Sequence, residues 1–465
     1  MIYALLRSLA GVALRWFYRA IDVEGLERIP RHTPIVLAVN HPNALVDAMV
    51  VAWVVPRRIV LTAKATLFQN PLLAWFLKWV GVVPLVRVSD IRSGAMEGSL
   101  DPKRNERAFG ALREVLDDAG AVLIFPEGIS HDEPSLARLR TGAARIALQA
   151  RDEAGIHGLH IVPIGLTFER KDAPRSHVLA QVGEPIALDS WRAPDPEPEL
   201  AAQALTDEIE TRLRAVTLNY TSADDASRAA ALASLFAALF AESPSRVGEA
   251  RPFNLEVTLA RRIEDARLQL ARGADDRLRA RADQLLRRVA EFEQGLCRHD
   301  VAIEDVGIST TSVAGTRFLL REGRIIALAG PIALWGQVNH WIPFHAARAI
   351  ALRTIESAAD PAMRTIVAGA ALVVAFYAAQ GALVAAVAGK IAAALYLVSL
   401  PLAADVNFLF RERLAGALRR ARTYLLFRRR PKLQTRLQSE LQYLRAEAVA
   451  VDEELRQRST AGAAV

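Results

Sequence analysis

Only one cysteine, Cys297, occurs in 465 residues. A lone thiol excludes an internal disulfide and any multi-cysteine zinc site, and it fits a reducing compartment. The N-terminal apolar segment lacks a small-residue cleavage site, so no cleavable signal peptide is expected. Charge is missing altogether between Thr365 and Gly389, a length of chain that suffices to cross a bilayer core of about 30 Å at 1.5 Å per residue. What is present is apolar and basic: 52% hydrophobic residues, a formal charge of +7, and a mean hydropathy of +0.17. The basic balance leaves two readings open, an acidic partner such as anionic lipid or a bland consequence of an arginine-rich composition. The length allows two or three domains at roughly 150 residues each.

Residues 1–20 place Leu5, Leu9, Val12 and Trp16 on one helical face and Arg7, Arg15 and Arg19 toward the other. That pattern predicts either an amphipathic helix in a membrane interface or a helix packed on a core. From 21 to 190, short apolar runs ("PIVLAV", "RRIVLTA", "VVPLVRV", "AVLIFP", "HIVPIGLTF") alternate with helical stretches at 105–119 and 135–152. Such alternation predicts an α/β domain with a mixed central sheet flanked by helices. Trp75, Phe76 and Trp79 beside Lys78 suit a membrane-interface surface or a core equally. The proline- and acid-rich stretch near 189–201 reads as a linker, followed by a mainly helical region over 191–320.

Residues 325–404 form an apolar, membrane-associated region. Within it, 365–404 is a predicted transmembrane hairpin, because arginines flank both ends and basic flanks favour an even number of crossings. The uncharged run 325–347 is a poorer span, interrupted by Pro331, Asn339, His340, Pro343 and His345. The segment 405–465 is basic and ends in a heptad stripe, Leu433, Leu437, Leu441, Leu444, Ala448, Val451 and Leu455. It echoes an earlier stripe at Leu278, Ala282, Leu285, Val289, Phe292 and Leu296. These coiled-coil-like helices could pair within one chain, form a homodimer, or sit separately on a bundle.

The stretch "AVNHPNALVDAMVV" puts His41 and Asp47 into an otherwise apolar segment. On one continuous helix six residues turn through about 600° and hold the two side chains apart. A break is therefore required, and "HPN" supplies one, since proline disfavours helical geometry in the residue before it. A carboxylate on one imidazole nitrogen fixes the tautomer and leaves the other as a base, the orienting half of a catalytic triad with no protein nucleophile. Downstream, "LIFPEGISH" ends an apolar run in Glu127 and Gly128, and "GVVPLVR" ends one in Arg87, whose planar fork suits phosphate.

Taken in order, "NHPNALVD", "GVVPLVR", "FPEGISH" and "VPIGLTF" resemble the four blocks of the glycerol-3-phosphate and 1-acylglycerol-3-phosphate acyltransferase superfamily, the lysophospholipid acyltransferases, over about residues 20–190. The resemblance implies that His41 is the general base and Asp47 its orienting partner. It implies that Arg87, Glu127 and Gly128 bind the acceptor and that Pro163 shapes the acyl-donor side. Five residues separate His41 from Asp47 where the commonest pattern has four, and Ile129, Ser130 and His131 replace the usual threonine-arginine. Both departures are similar to a branch that includes fungal-type glycerol-3-phosphate and dihydroxyacetone-phosphate acyltransferases, and Arg140 is the candidate substitute for the missing arginine.

The expected activity is O-acyl transfer in phospholipid biosynthesis, from acyl-CoA or acyl carrier protein to a glycerol phosphate or lysophospholipid hydroxyl. No metal or other cofactor and no nucleic acid partner is implied. The expected location is the cell membrane, with the catalytic domain on the cytoplasmic face. A noncatalytic membrane scaffold and an acyl-thioester hydrolase are the competing readings.

Overall fold

The computed structural model describes residues 2–85, 102–240, 252–273, 276–353 and 361–462. The chain divides into two compact units, one of residues 1–223 with 348–370 and the other of 224–347 with 371–465. Arg87 lies outside the described residues.

The first unit is built on a mixed sheet with the order β1-β7-β6-β2-β5-β3-β4, and β8 pairs with β6. Its strands are β1 (Ala20–Glu24), β2 (Ile35–Val39), β3 (Ile59–Lys64), β4 (Val83–Leu85), β5 (Ala121–Ile124), β6 (His160–Phe168), β7 (His177–Val182) and β8 (Ile186–Ala187). Strands β2, β3 and β5 run parallel to their neighbours, and β6 runs parallel to β2 but meets β7 and β8 antiparallel. Every residue of β2 and β5 is buried, as a parallel strand covered on both faces requires. Alternation then sorts their side chains. Ile35, Leu37 and Val39 meet α1 (Ile2–Phe17) and α2 (Ala44–Val54) on one face. Val36 and Ala38 meet α4 (Pro102–Asp117), α5 (Gly142–Asp152) and α6 (Pro198–Val216) on the other.

Helix α6 begins inside the stretch that reads as a linker, yet Ala202, Leu205, Ile209 and Leu213 are buried against the sheet. The compact α/β unit thus runs past 190, the boundary that the prolines and acids suggest, because the apolar face of α6 completes its second core. The predicted helix at 135–152 starts only at Gly142, since the preceding residues wrap around the end of β5. Helix α1 serves both sequence readings. Leu14 and Phe17 enter the core, while Leu5, Leu9 and Val12 face outward. On α3 (Pro71–Val80), Trp75, Phe76 and Trp79 are all exposed.

The second unit is helical, with α7 (Ala223–Phe240), α8 (Phe253–Gly273), α9 (Asp276–Arg298), α10 (Ser312–Arg353) up to residue 347, α11 (Pro361–Ala388) from residue 371, α12 (Lys390–Arg429) and α13 (Pro431–Gly462). The two heptad stripes bury each other here within one chain. Leu278, Leu285, Val289 and Leu296 of α9 share a core with Leu437, Leu441, Leu444 and Leu455 of α13, joined by Leu235 and Leu239 of α7. Arg281 pairs with Glu447 at 2.6 Å and with Glu454 at 3.1 Å alongside that seam. Such partly exposed pairs are screened by water and add little, so the apolar seam carries the association. Helices α11 and α12 are each long and apolar enough to cross a membrane, and Gly389 in a left-handed conformation (φ 88°) separates them.

One close approach in the first unit can be tested directly. A Cβ built on Gly165 of β6 would collide with the Val216 carbonyl oxygen at the end of α6. Gly165→Ala is expected to lower stability by about 1–3 kcal/mol, the range for overpacking, measured by urea unfolding of the detergent-solubilised chain against wild type.

Candidate active site

Strands β2 and β5 lie side by side and parallel, with Ala38 opposite Ile124. Their C-terminal ends therefore deliver Asn40-His41 and Phe125-Pro126-Glu127 to the same place. Asn40 is locked there by two bonds to the next strand: its Nδ2–H donates to the Leu166 carbonyl (3.0 Å), and its Oδ1 accepts from the Leu166 N–H (2.7 Å). His41 stacks on Phe125 with ring centroids 3.9 Å apart and planes 12° from parallel.

His41 and Asp47 meet. Asp47 Oδ2 lies 2.9 Å from His41 Nδ1 and accepts the Asn43 N–H at 2.7 Å. Proline is not the whole of the break between them. Ala44, the first residue of α2, has φ 47°, a left-handed conformation that costs a non-glycine residue roughly 1–2 kcal/mol. The Ser130 hydroxyl accepts the Ala44 N–H at 3.0 Å and helps to hold it. This local reversal absorbs the five intervening residues and brings Asp47, in the first turn of α2, back under the imidazole.

Asp47 is fully buried, and its Oδ1 has no hydrogen-bond partner in the structure. Burial pushes its carboxyl above the usual range, against the opposing pull of His41, the Asn43 N–H and Lys171. An ionised carboxylate on Nδ1 selects the tautomer that carries its proton there. Nε2 is then the unprotonated nitrogen, on a side chain 13% exposed. Behind Asp47, Asn43 Nδ2–H donates to the Tyr18 hydroxyl (3.0 Å) and the Lys171 carbonyl (3.1 Å), and the Tyr18 O–H donates to that same carbonyl (3.0 Å). Burial raises the Tyr18 hydroxyl well above its ordinary pKa, so it remains a donor. Lys171 Nζ donates to the Pro42 carbonyl at 3.0 Å and pairs with Asp132.

Glu127 is almost as buried, at 2% exposure. Its Oε1 accepts the His41 backbone N–H at 2.7 Å. Its Oε2 accepts the Ala137 N–H at 2.8 Å and bonds to His131 Nε2. His131 Nδ1 accepts the Glu133 N–H at 3.1 Å, which leaves Nε2 as the protonated nitrogen that donates to Glu127. Gly128 has φ 73°, a conformation open to glycine at little cost. Arg140 lies next to it: its N–H donates to the Pro126 carbonyl at 2.7 Å, and a Cβ on Gly128 would stand 3.5 Å from its Cγ. The Arg140 side chain is exposed. Pro163 is deeper, buried in β6 opposite Ala38. A cavity of about 150 Å³ opens beside these residues, lined in part by Asn40, Pro42, Glu127, His131 and Phe168.

Six of the seven sequence-derived site residues thus have positions in the structure. Five (His41, Asp47, Glu127, Gly128 and Arg140) gather at the ends of β2 and β5, and Pro163 supports the sheet behind them. The supporting residues Tyr18, Asn43, Phe125, Ser130 and Lys171 were missed. Asn43, Phe125 and Ser130 sit inside the quoted blocks, where a polar side chain such as Asn43 in an apolar stretch is a readable signal for a buried hydrogen-bonding role. Tyr18 and Lys171 carry none, because only the tertiary fold brings them to Asp47.

Asp47→Asn offers a measurable consequence. The raised carboxyl pKa means that the folded wild type holds the proton more tightly than the unfolded chain does. The contribution of Asp47 to stability is therefore fully present below the ordinary carboxylate pKa and is lost as pH rises through the higher folded value. The apparent Tm of the variant minus that of wild type is expected to increase with pH across that window and then level off, as read by differential scanning fluorimetry.

Residues 20–167 match the family model described as Acyltransferase. Chloroplastic 1-acyl-sn-glycerol-3-phosphate acyltransferase LPAT1 of Arabidopsis thaliana is 27% identical over 166 residues, 36% of this chain and 40% of that protein. Glycerol-3-phosphate O-acyltransferase 2 of Saccharomyces cerevisiae is 38% identical over 85 residues, 18% of this chain and 11% of that one. The crystal structure of the 1-acyl-sn-glycerophosphate acyltransferase PlsC from Thermotoga maritima aligns with a TM-score of 0.35 at 18% identity, covering 46% of this chain and 78% of that one. The chain spans less than half the length of these two curated relatives. Residues 20–167 of this chain are an acyltransferase-family domain.

Proposed function

We propose that the protein transfers a fatty acyl group from a thioester, acyl-CoA or acyl carrier protein, to a hydroxyl of a glycerol phosphate or lysophospholipid. The observation that carries this reading is the His41–Asp47 contact at 2.9 Å inside an acyltransferase-family domain. With Nδ1–H held by Asp47, His41 Nε2 accepts the proton of the acceptor hydroxyl as its oxygen attacks the thioester carbonyl. The tetrahedral intermediate collapses with cleavage of the carbon–sulfur bond, and the imidazolium returns the proton to the departing thiolate. Asp47 stabilises the transient positive charge without taking the proton.

Glu127 acts in this reading by position: its oxygens hold the His41 backbone and His131, so the acceptor phosphate falls to Arg140 and Arg87. The exposed apolar faces of α1 and α3 rest on lipid. The α11–α12 hairpin spans the membrane, with the domain on the cytoplasmic side, which suits an acyl donor and product that partition into the bilayer. Relatives named as acting on glycerol 3-phosphate and on 1-acylglycerol 3-phosphate define the acceptors to compare.

The test is an acceptor panel of glycerol 3-phosphate, dihydroxyacetone phosphate and lysophosphatidate, with radiolabelled acyl-CoA or acyl carrier protein and the purified full chain. His41→Ala is expected to lower transfer by about 10²–10⁴-fold, the usual worth of a general base. Arg140→Ala is expected to raise KM for a phosphorylated acceptor more than it lowers kcat. Thioester hydrolysis indifferent to the acceptor would instead identify a hydrolase, and the absence of both activities a scaffold.

A further inference from the structure

The two departures of this chain from the commonest first and third blocks meet in one hydrogen bond. The extra residue between His41 and Asp47 has to be absorbed, and the chain absorbs it at Ala44, where φ is 47°. The Asn43 carbonyl accepts the Val46 N–H at 3.0 Å, which makes Ala44 the second residue of a tight turn. A positive φ at that place belongs to the primed turns, where glycine leads because it has no Cβ to crowd. Alanine takes the conformation against its own preference. Its N–H is also one of the first donors of α2, which have no partner within the helix. The Ser130 hydroxyl, from the third block, accepts that N–H at 3.0 Å.

Ser130 can act as a clamp because its own loop is anchored. Glu127 Oε2 accepts the Ala137 N–H at 2.8 Å and closes the loop on itself. Asn219 Oδ1 accepts the Leu136 N–H at 3.0 Å, and the Pro134 carbonyl accepts the Tyr220 N–H at 3.0 Å, so the loop is tied to the chain that follows α6. The same loop reaches the first block at two further points. Glu127 Oε1 takes the His41 N–H at 2.7 Å, and Asp132 pairs with Lys171, whose Nζ donates to the Pro42 carbonyl at 3.0 Å. His41, Pro42 and Ala44 are thus each held from the loop after β5. Only the Ser130 bond falls on the residue whose backbone conformation is adverse.

The turn at Ala44 decides where Asp47 points. If Ala44 relaxes to right-handed geometry, α2 extends backward toward His41, and six residues along a helix hold the two side chains apart. The Asn43 N–H, which Asp47 Oδ2 accepts at 2.7 Å, then turns away as well. We propose that Ser130 is a positioning residue for His41: its hydroxyl keeps Ala44 left-handed, and that turn keeps Asp47 on Nδ1. The third block here serves the chain's own base loop at Ser130, in place of a contact to the acceptor phosphate. This role rests on reading His41 as the general base.

The test is a cycle of Ser130→Ala, Ala44→Gly and the double variant in the full chain, with acyl transfer assayed well below the apparent Tm of each. Ser130→Ala is expected to lower kcat by about 10–100-fold, the scale of a small misplacement at a reacting centre. KM for the phosphorylated acceptor is expected to stay near its wild-type value, in contrast to Arg140→Ala. Ser130→Thr, which keeps the hydroxyl, is expected to recover most of the loss. Glycine adopts the turn without help, so the loss caused by Ser130→Ala is expected to disappear in the Ala44→Gly background.

The same loss of kcat in both backgrounds would overturn the inference, because the hydroxyl would then act elsewhere than on the turn. A raised KM with kcat intact would also overturn it and assign Ser130 to the acceptor. Differential scanning fluorimetry reads the turn without activity: Ser130→Ala is expected to lower the apparent Tm more in the otherwise wild-type chain than in the Ala44→Gly background. Equal shifts overturn the clamp whether or not the chain transfers acyl groups. Unequal shifts in a chain that transfers none would overturn the proposed function and keep the clamp on Ala44.

Discussion

A fully buried carboxylate with one unpartnered oxygen organises the α/β unit. Asp47 is kept by two donors on Oδ2, the Asn43 amide and the His41 ring, and both come from the loop that Asp47 itself shapes. Charge at zero exposure is tolerated only with such partners. The left-handed Ala44, the anchoring of Asn43 to Tyr18 and the hold of Lys171 on Pro42 are all means of keeping those donors in place. A second buried acid, Glu127, approaches from the adjacent strand and takes the main-chain N–H of the same histidine. His41 is thus held at ring and backbone by two different carboxylates.

The sheet explains why so few residues are enough. Parallel neighbours end on the same edge, so β2 and β5 present their last residues together without any long excursion of the chain. Phe125 then limits the imidazole to one plane while Asp47 fixes its rotation within that plane. Ligand sites outside the carboxyl ends of strands are the general outcome for open sheets of this kind. Here the loops that follow β2 and β5 supply both the candidate base and its supports.

Much of this was legible in the residues. The strands announce themselves as short apolar runs, and the four blocks place His41, Asp47, Glu127 and Gly128 in order. What stayed hidden depends on tertiary contact. Nothing near Tyr18 or Lys171 marks them as partners of a loop more than twenty residues away. The acids and prolines before α6 read as a linker because composition does not reveal that the next helix has an apolar face for the sheet. The heptad stripes of α9 and α13 were visible, but their partner was not, since a seam of leucines fits another helix of its own chain as well as a second copy.

The pairing of α9 with α13 carries a consequence for biogenesis. Its first half is synthesised before α10, α11 and α12 and its second half after all three. The ion-paired seam through Arg281, Glu447 and Glu454 therefore cannot close until the segment between has left the ribosome. Until then α9 exposes Leu278, Leu285 and Leu296 with no α13 to cover them. The order of synthesis makes the bundle a seal applied last, joining helices on either side of a long apolar stretch already made.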